Sequence, residues 1–542
     1  MSEFLIASRR ERKRTVFCFL GAIARSHGRI SRLTVKQQAR DSATVNREMH
    51  PARFHGRNQP CFAFADGRNF ATISPGTMKP TLLAFASALQ GAAGLCAVEQ
   101  PSPGAPAGAS NPAPVAVSSS PLTTDSTADA AVLRASLASI EAELRNDILP
   151  FWLKHTRDRE RGGFYGEITN DLVVKRNAPR GSLLTARILW TFSAAYRQYK
   201  DPACLEMARW AYDDLLAKFW DNDQGGLYWS IKANGTPLDT RKVIYGQAFG
   251  IYALAEYHRA TGERAPLDRA IALYRIIESH GHDAAQHGYF EEFDREWKRL
   301  SNSRRSIVST VGAKSQNTHL HVMEAYANLL RVWPDPELRA NLNDLVDVMV
   351  TRILNPANHH LRLFFADDWT PRSDEISFGH DIEFSWLLLE TAEVLGDQDR
   401  IARTRTTAVE VARTILAEGV DADGGMLSEA GPKGLTNTNK EWWQQAEAVT
   451  GFFNAYQLSG DPRFLQASLR SWDFIEKHVI DRKHGEWYNL LARDCTVLSS
   501  DKVSLWKCPY HDGRTCMEMV QRLNTVLASP HPESASAAAP AK

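Results

Sequence analysis

The chain has 542 residues, of which 43% are hydrophobic and 23% charged, enough apolar material for a sizeable buried core. Its 64 Lys and Arg residues almost balance its 63 Asp and Glu residues, so net charge gives it no reason to bind nucleic acid or an anionic membrane. Seven Cys are present, without a CxxC pair or a His/Cys cluster at zinc spacing. These features exclude the common zinc-binding patterns and argue against a nucleic-acid partner.

The two ends of the chain predict no part of a folded core. Residues 1–77 are Arg-rich without sustained periodicity and are predicted to be a disordered extension, absent from the product if translation starts at Met78. The segment 78–128 has a basic start and an apolar run typical of a secretory signal, followed by a Pro/Ala/Ser linker. Export would make the protein periplasmic or secreted, with no membrane segment in its mature form; otherwise it is cytoplasmic. Residues 528–542 are predicted to be a disordered tail.

The region 129–527 contains a repeat with a period of about 60 to 70 residues. In each unit a tight polar turn separates two helical patterns, and Pro after such a turn suits the first position of the next helix. Helical spacing of apolar residues is clear in 248–259 and 383–395. The turns lie at 199–202, 261–264, 333–336, 395–398 and 459–462.

A second feature recurs once per unit, a loop in which Gly precedes aromatic or apolar residues (the Gly-aromatic loop). Its copies are 162–165, 225–228, 288–290, 360–364, 424–427 and 485–488, and the fourth lacks its Gly. A two-helix unit cannot bury its apolar face alone, so six units must stack into an open solenoid or a closed ring. Because aromatic and ionisable residues cluster at corresponding ends of successive units, we predict an all-α (α/α)6 barrel, six helical hairpins in a closed ring around a pocket.

The helices that follow these loops begin with unusual polar and aromatic residues. Asn317/His321 and Trp443/Glu447 are four residues apart, so each pair shares one helix face if helical. A lone His or Trp on a helix is more often structural, but His at the same phase of three repeats favours a function. The candidate site residues are Arg187, Tyr245, Asn317, His321, His380, Glu383, Trp386, Trp443, Glu447, Trp506, His511 and Arg514.

This set of side chains suits proton abstraction next to a carbonyl group. Imidazole both takes and returns a proton near neutral pH, and two imidazoles on opposing helices can serve opposite faces of one carbon. Arg187 is predicted to stabilise the enediolate oxygen, and Glu383 to orient the ring of His380 one turn away. His319 and His321 are two residues apart and point in different directions, so they predict no metal site.

Three motifs resemble the N-acylglucosamine 2-epimerase superfamily and, within it, the cellobiose 2-epimerases. They are GHDIEFSW at 379–386, WWQQAE at 442–447 and KCPYHDGR at 507–514. The resemblance covers nearly all of 135–525 and implies an (α/α)6 barrel without cofactor. It also implies interconversion of glucose and mannose configuration at C2 of the reducing end of β-1,4-linked disaccharides such as cellobiose and lactose. The expected partner is that small molecule, and the expected state is a monomer or weak dimer.

The resemblance also implies residue roles. His380 and His511 would be the acid/base pair at C2, and they or His321 would assist ring opening, while Arg187 would hold the reacting oxygens. The sugar would be hydrogen-bonded or stacked by the remaining candidates, namely Tyr245, Asn317, Glu383, Glu447, Arg514, Trp386, Trp443 and Trp506.

Three other interpretations remain open at this point. One is a relative acting on an N-acylglucosamine or on free mannose. The second is a glycoside hydrolase on the same barrel, with Glu383 and Glu447 as the two carboxylates that such chemistry needs. The third is a helical-repeat binding scaffold without catalysis.

Overall fold

The computed structural model describes residues 127–300, 307 and 311–528. The predictions for 1–77, for 78–126 and for 529–542 lie outside these residues. The first described helix begins at Thr127, and the last one ends at Ala528. No helix in the described part of the chain is long and apolar enough to cross a bilayer.

The described helices, in chain order, fall into two alternating sets. They are α1 (Thr127–Glu143), α2 (Leu149–His155), α3 (Ser182–Tyr199), α4 (Pro202–Asp214), α5 (Ile244–Thr261), α6 (Arg264–Ile276), α7 (Gln316–Leu330), α8 (Pro336–Val348), α9 (Phe378–Leu395), α10 (Gln398–Glu418), α11 (Trp442–Ser459), α12 (Pro462–Phe474) and α13 (Tyr510–Ala528). Single π-helical turns follow α1, α4, α6, α8 and α12, at Leu144–Ile148, Leu215–Phe219, Ile277–Gly281, Met349–Ile353 and Ile475–Val479.

The odd-numbered helices from α3 to α13 form an inner ring. Each packs against the next one along the chain, and α13 packs against α3. The ring is therefore closed, which confirms the predicted (α/α)6 barrel rather than the open solenoid. The outer helices α4, α6, α8, α10 and α12 pack on the inner helices that precede them, and α1 from the other end of the chain packs on α13 to complete the sixth hairpin.

The predicted polar turns lie between inner and outer helices, as expected. Asp201, Asp335 and Asp461 are the N-caps of α4, α8 and α12, and their carboxylates accept hydrogen bonds from first-turn amides. Each is followed by Pro at the first helical position, where the missing N–H costs no hydrogen bond. One continuous cluster of buried apolar side chains runs through both rings.

In the described part of the chain, six small antiparallel sheets surround one end of the barrel. Their strands are β1 (Ile168–Thr169), β2 (Arg180–Gly181), β3 (Ser230–Ile231), β4 (Pro237–Asp239), β5 (Lys242–Val243), β6 (Glu292–Phe293), β7 (Lys314–Ser315), β8 (Phe364–Phe365), β9 (Ile376–Ser377), β10 (Glu429–Gly431), β11 (Gly434–Asn437), β12 (Lys440–Glu441), β13 (Leu490–Leu491) and β14 (Asp501–Val503). Within each hairpin, the strand before the inner helix pairs with the strand after the outer helix, as in Lys314↔Phe365. The pairing of β1 with β14, Ile168↔Val503, closes the sixth hairpin. These sheets mark the mouth at the N-terminal ends of the inner helices.

All six Gly-aromatic loops have the same backbone bridge, including the degenerate fourth copy, Leu354↔Leu361. Two residues before this bridge, His359 takes the left-handed conformation with φ of 57°, as His287 does in the third copy, whereas glycine takes it in the other four. Four loops are tied to an inner helix by the fourth residue of that helix. Gln247, His319, Asp381 and Gln445 accept hydrogen bonds from loop amides at 2.7 to 2.8 Å.

Candidate active site

The predicted site residues occupy two repeated positions of the inner helices. Tyr245, Asn317, Trp443 and His511 are the second residues of α5, α7, α11 and α13. Arg187, His321, Glu383 and Glu447 are the sixth residues of α3, α7, α9 and α11. Positions four residues apart share a helix face, and in a closed ring that face lies toward the axis.

A cavity of about 350 Å³ lies at this mouth of the barrel. Most of the predicted residues line it, namely Arg187, Tyr245, Asn317, His321, His380, Glu383, Trp443, Trp506 and His511. The other three, Trp386, Glu447 and Arg514, are buried behind this lining.

His380 and His511 converge on one tryptophan. The ring of Trp443 has its centroid 4.7 Å from that of His380 and 5.5 Å from that of His511. Both imidazoles line the cavity and are 5% and 4% exposed. Side chains from three different hairpins thus reach the same small volume.

Each lining imidazole is oriented by a hydrogen bond at Nδ1. The partner of His511 is Glu447 Oε1 at 2.7 Å, and the partner of His321 is Glu324 Oε2 at 2.9 Å. Since a carboxylate only accepts, these two rings carry their proton on Nδ1 and leave the Nε2 lone pair free. The prediction that Glu383 orients His380 is wrong, because Nδ1 of His380 lies 2.9 Å from the hydroxyl of Ser377.

The same surroundings keep the imidazoles neutral. Burial, reinforced by neighbouring positive charge such as Arg187, lowers the pKa of His380 and His511 well below the ordinary 6.5. Burial also lowers the pKa of His321, although Glu324 opposes the shift. At neutral pH all three rings are therefore available as proton acceptors.

Arg514 lies beneath the lining and holds three carboxyl groups. Its Nη2 donates to Glu383 Oε1 at 2.5 Å and to Glu447 Oε1 at 2.6 Å, while its Nη1 donates to Glu324 Oε1. The prediction of direct sugar contact by Arg514 is thus corrected, since both Nη atoms donate to protein groups and the side chain does not line the cavity. Trp386 likewise donates from Nε1 to Glu447 Oε2 at 3.0 Å and is 2% exposed, so it offers no stacking surface.

Glu447 also departs from its predicted contact with sugar. One of its oxygens accepts from both His511 and Arg514, and the other accepts from Trp386. Both oxygens of its carboxylate accept hydrogen bonds from these donors, and the residue does not line the cavity. Its position makes it an orienting group for His511.

Three potential ligand atoms of Glu383, Glu447 and His511 lie within 4.8 Å of one another, a spacing that suits a metal ion. Arg514 donates from one nitrogen to both of these carboxylates. The guanidinium therefore supplies the positive charge that a metal would bring. His319, two residues from His321, is turned away toward the amide of Tyr289 and the carbonyl of Ser315.

Arg187 places a second positive charge at the cavity. Its Nη2 donates to the hydroxyl of Tyr245 at 2.6 Å, and its guanidinium lies 4.3 Å from the ring centroid of Phe249. Its buried Nε has no acceptor among the described residues. This arginine is thus positioned to bind a developing oxyanion.

Sequence reasoning missed the rim and the supporting groups of the site. The rim residues are Glu441, Trp442, Asn489, Leu490, Leu498, Ser499, Ser500 and Asp501, on or near β12, β13 and β14. Apart from Trp442, which begins the WWQQAE motif and α11, no motif distinguishes them in the sequence, because they lie on short strands and in the connections around them. Two supporting residues could have been found from sequence spacing, because Glu324 follows His321 by three residues and Ser377 precedes His380 by three.

A closed (α/α)6 barrel with neutral imidazoles, an arginine and tryptophans around one pocket is suited to acid–base chemistry on a carbohydrate. Residues 163–512 match the model of the N-acylglucosamine 2-epimerase (GlcNAc 2-epimerase) family. The chain belongs to this family, as the three sequence motifs predicted. It is a carbohydrate epimerase and hence an isomerase.

The relatives include well-matched sequences and structures. The chain is 43% identical over 383 residues to the cellobiose 2-epimerase of Bacteroides fragilis, covering 70% of this chain and 97% of that protein. The structure of cellobiose 2-epimerase from Bacillus thermoamylovorans B4167 matches with a TM-score of 0.69 and 39% identity, over 72% of this chain and 100% of that one. The structure of cellobiose 2-epimerase from Spirochaeta thermophila DSM 6192 matches with a TM-score of 0.69 and 38% identity. The match covers 74% of this chain and 100% of that one.

Proposed function

We propose that this epimerase interconverts the glucose and mannose configurations at C2 of the reducing residue of β-1,4-linked disaccharides, cellobiose and lactose among them. The names of the relatives that the chain matches over nearly their full length support the substrate class. The observation that carries the mechanism is the convergence of His380 and His511 on the ring of Trp443.

The proposed reaction proceeds through an enediolate. One neutral imidazole removes the proton from C2 of the open-chain aldose, and negative charge moves to the carbonyl oxygen at C1. Arg187 stabilises that charge because its guanidinium is preorganised by Tyr245. The second imidazole, which has taken the O1 hydroxyl proton released when the pyranose ring opens, then delivers that proton to the other face of C2 and so inverts the configuration.

The polar residues at the rim of the cavity favour binding of a disaccharide over binding of a single sugar. Asn489 donates from Nδ2 to Ser499 Oγ at 3.3 Å, and both residues line the cavity beyond the histidines. Amide, hydroxyl and carboxylate groups at this edge suit the hydroxyls of a second sugar, while Trp443 and Trp506 suit the C–H faces of a pyranose.

The arrangement of Glu383 and Glu447 argues against glycoside hydrolysis. A hydrolase places a glycosidic bond between two carboxyl groups. Here both carboxylates accept hydrogen bonds from the same nitrogen of Arg514, and Glu447 lies behind the cavity wall. No sugar bond fits between them.

The test is incubation with cellobiose in deuterated water containing a chelator. The expected product is 4-O-glucosylmannose with deuterium at C2, detected by NMR and mass spectrometry. Parallel incubations contain N-acetylglucosamine or mannose, and turnover of either sugar without turnover of cellobiose would contradict the proposed substrate. Release of glucose would contradict the proposed reaction. Both His380→Asn and His511→Asn should abolish incorporation of deuterium.

A further inference from the structure

Glu383 differs from the other carboxyl groups around Arg514. Glu324 is bonded by Arg514 and His321, and Glu447 by Arg514, His511 and Trp386. Glu383 accepts from Arg514 through Oε1. Its Oε2 is buried and has no hydrogen-bond partner among the described residues, although the side chain lines the cavity.

The local charge balance requires that one of these carboxyl groups keep its proton. Arg187 and Arg514 are two cations, the imidazoles are neutral, and three carboxyl groups surround Arg514. Two carboxylates on one nitrogen repel each other in a buried site, so one stays protonated. Glu383 has the fewest donors, which makes it the protonated one.

The surroundings of Glu383 support this assignment. The titratable and charged groups that face it are Glu324 on α7, Glu447 on α11, Arg514, His511 and Tyr510 on α13, and Tyr245 on α5. Burial and the negative charge of Glu447 raise the pKa of Glu383 well above its usual 4.5, against the effect of Arg514. For Glu324, burial is outweighed by Arg514 and His321, so its pKa falls to about 2.

The site also needs an acid that its oriented histidines do not supply. A reducing sugar is mostly a closed pyranose, and opening it requires a proton on the ring oxygen. His321 and His511 present lone pairs at Nε2, because their Nδ1 protons are directed to Glu324 and Glu447. They are therefore bases in the resting enzyme.

We propose that Glu383 is the catalytic acid that opens the pyranose ring, donating the proton of its free Oε2 to the ring oxygen O5 of the reducing residue. This role rests on the proposed function. The O1 hydroxyl proton passes to a neutral imidazole, the C1–O1 double bond forms, and the C1–O5 bond breaks with its electron pair going to O5. O5 takes the proton of Glu383, whose carboxylate is then stabilised by Arg514. Ring closure returns both protons.

The decisive variant is Glu383→Gln, which keeps the shape and an acceptor for Arg514 but has no acidic proton. Interconversion of the α and β anomers of cellobiose, followed by NMR exchange, reports ring opening independently of the chemistry at C2. We expect Glu383→Gln to lose enzyme-catalysed anomer interconversion by about 10²-fold to 10⁴-fold, the usual range for removing a general acid. Epimerisation of cellobiose should fall in parallel.

A matched substrate separates ring opening from the later steps. A cellobiose analogue methylated at O5 of the reducing residue cannot form the pyranose and presents an open-chain aldehyde. Glu383→Gln should exchange the C2 hydrogen of this analogue within a few-fold of the wild-type rate. Equal losses on both substrates, or unchanged anomer interconversion, would overturn the role of Glu383.

Wild-type enzyme gives a second readout that needs no variant. The enzyme-catalysed anomer interconversion, after subtraction of the rate without enzyme, should fall at alkaline pH as Glu383 loses its proton, and a catalysed rate that stays level or rises there would contradict the proposal. If the wild type neither exchanges C2 hydrogen nor epimerises cellobiose, the proposed function itself fails, whatever the anomer data give.

Discussion

Nδ1 of His511 lies 2.7 Å from Oε1 of Glu447, and this contact joins the first turn of α13 to the second turn of α11. The carboxylate fixes the imidazole in one tautomer and leaves Nε2 for the substrate. A residue placed behind the cavity wall thus controls a group that lines the cavity.

Replacing Glu447 with Gln should impair the chemical step more than binding. The amide can direct its NH2 group at Nδ1 and favour the opposite tautomer of His511. We expect kcat on cellobiose to fall by about 10²-fold to 10⁴-fold, as for removing an acid–base group, with KM changed less than about three-fold. Steady-state kinetics and circular dichroism are the measurements. A variant that loses affinity at unchanged kcat would instead show that Glu447 contacts the sugar.

The pH dependence of kcat/KM should reflect neutral imidazoles in the free enzyme. The pKa of His380 and His511 is lowered by burial and by neighbouring cations, so protonation inactivates them only at acidic pH. Activity should therefore persist as pH falls through 6.5 and decline below it. An acidic limb centred at or above pH 6.5 would contradict the lowered pKa values. The position of the acidic limb is measured from initial rates between pH 4.5 and 9.

The two tryptophans of the site should respond differently to substitution. Trp443 lines the cavity, so Trp443→Ala should raise KM at least about ten-fold because an aromatic surface is lost. Trp386→Phe is the matched control, since it removes the hydrogen bond to Glu447 without touching the cavity. We expect it to lower kcat with little effect on KM. A raised KM at unchanged kcat for Trp386→Phe would instead show that Trp386 stacks on the sugar.

Arg514 should be essential for stability. Arg514→Met leaves Glu324, Glu383 and Glu447 buried without their shared cation. Breaking such a buried pair costs about 3–5 kcal/mol, so the free energy of unfolding in urea should fall by that amount. Arg331→Met is a suitable comparison, because its ion pair with Glu390 is partly exposed and should contribute less than about 1 kcal/mol. Equal stability of the two variants would refute a central role for Arg514.

His319 should make the fold sensitive to acid. Burial lowers its pKa from 6.5 to about 3, so the unfolded chain binds more protons than the folded one between these values. The free energy of unfolding therefore decreases as pH falls through this window. Between pH 7.5 and 4.5 the contribution amounts to about 2.5 kcal/mol.

The variant His319→Gln tests this contribution, because Gln still offers an acceptor to Tyr289 and a donor to Ser315 but does not titrate. Urea unfolding at the two pH values should show a smaller loss of stability in the variant than in the wild type. Identical losses of unfolding free energy in the variant and the wild type would show that His319 does not contribute to the acid sensitivity of the fold.

Residue types and spacing determined much of the site in advance. The recurrence of polar and aromatic residues at the start of inner helices predicted the closed ring and eight of the lining residues, because a helix places residues four apart on one face. The same spacing did not distinguish residues that line the cavity from residues that lie behind the lining and support it. Glu447 and His321 occupy equivalent positions on their helices, yet Glu447 lies behind the wall and His321 on it.

The sequence by itself therefore determined the repeat, the barrel, the family motifs and the three histidines that line the cavity, since all of these depend on local periodicity and residue chemistry. Only the tertiary structure decided which carboxylate orients which imidazole, that Arg514 binds protein groups, and that α1 completes the sixth hairpin with α13. Apart from the contact of Glu324 with His321 on one helix, these relations join parts of the chain that are far apart, such as Arg514 and Glu324, which are 190 positions apart. Such distances depend on how helices pack around the axis, which no local pattern records.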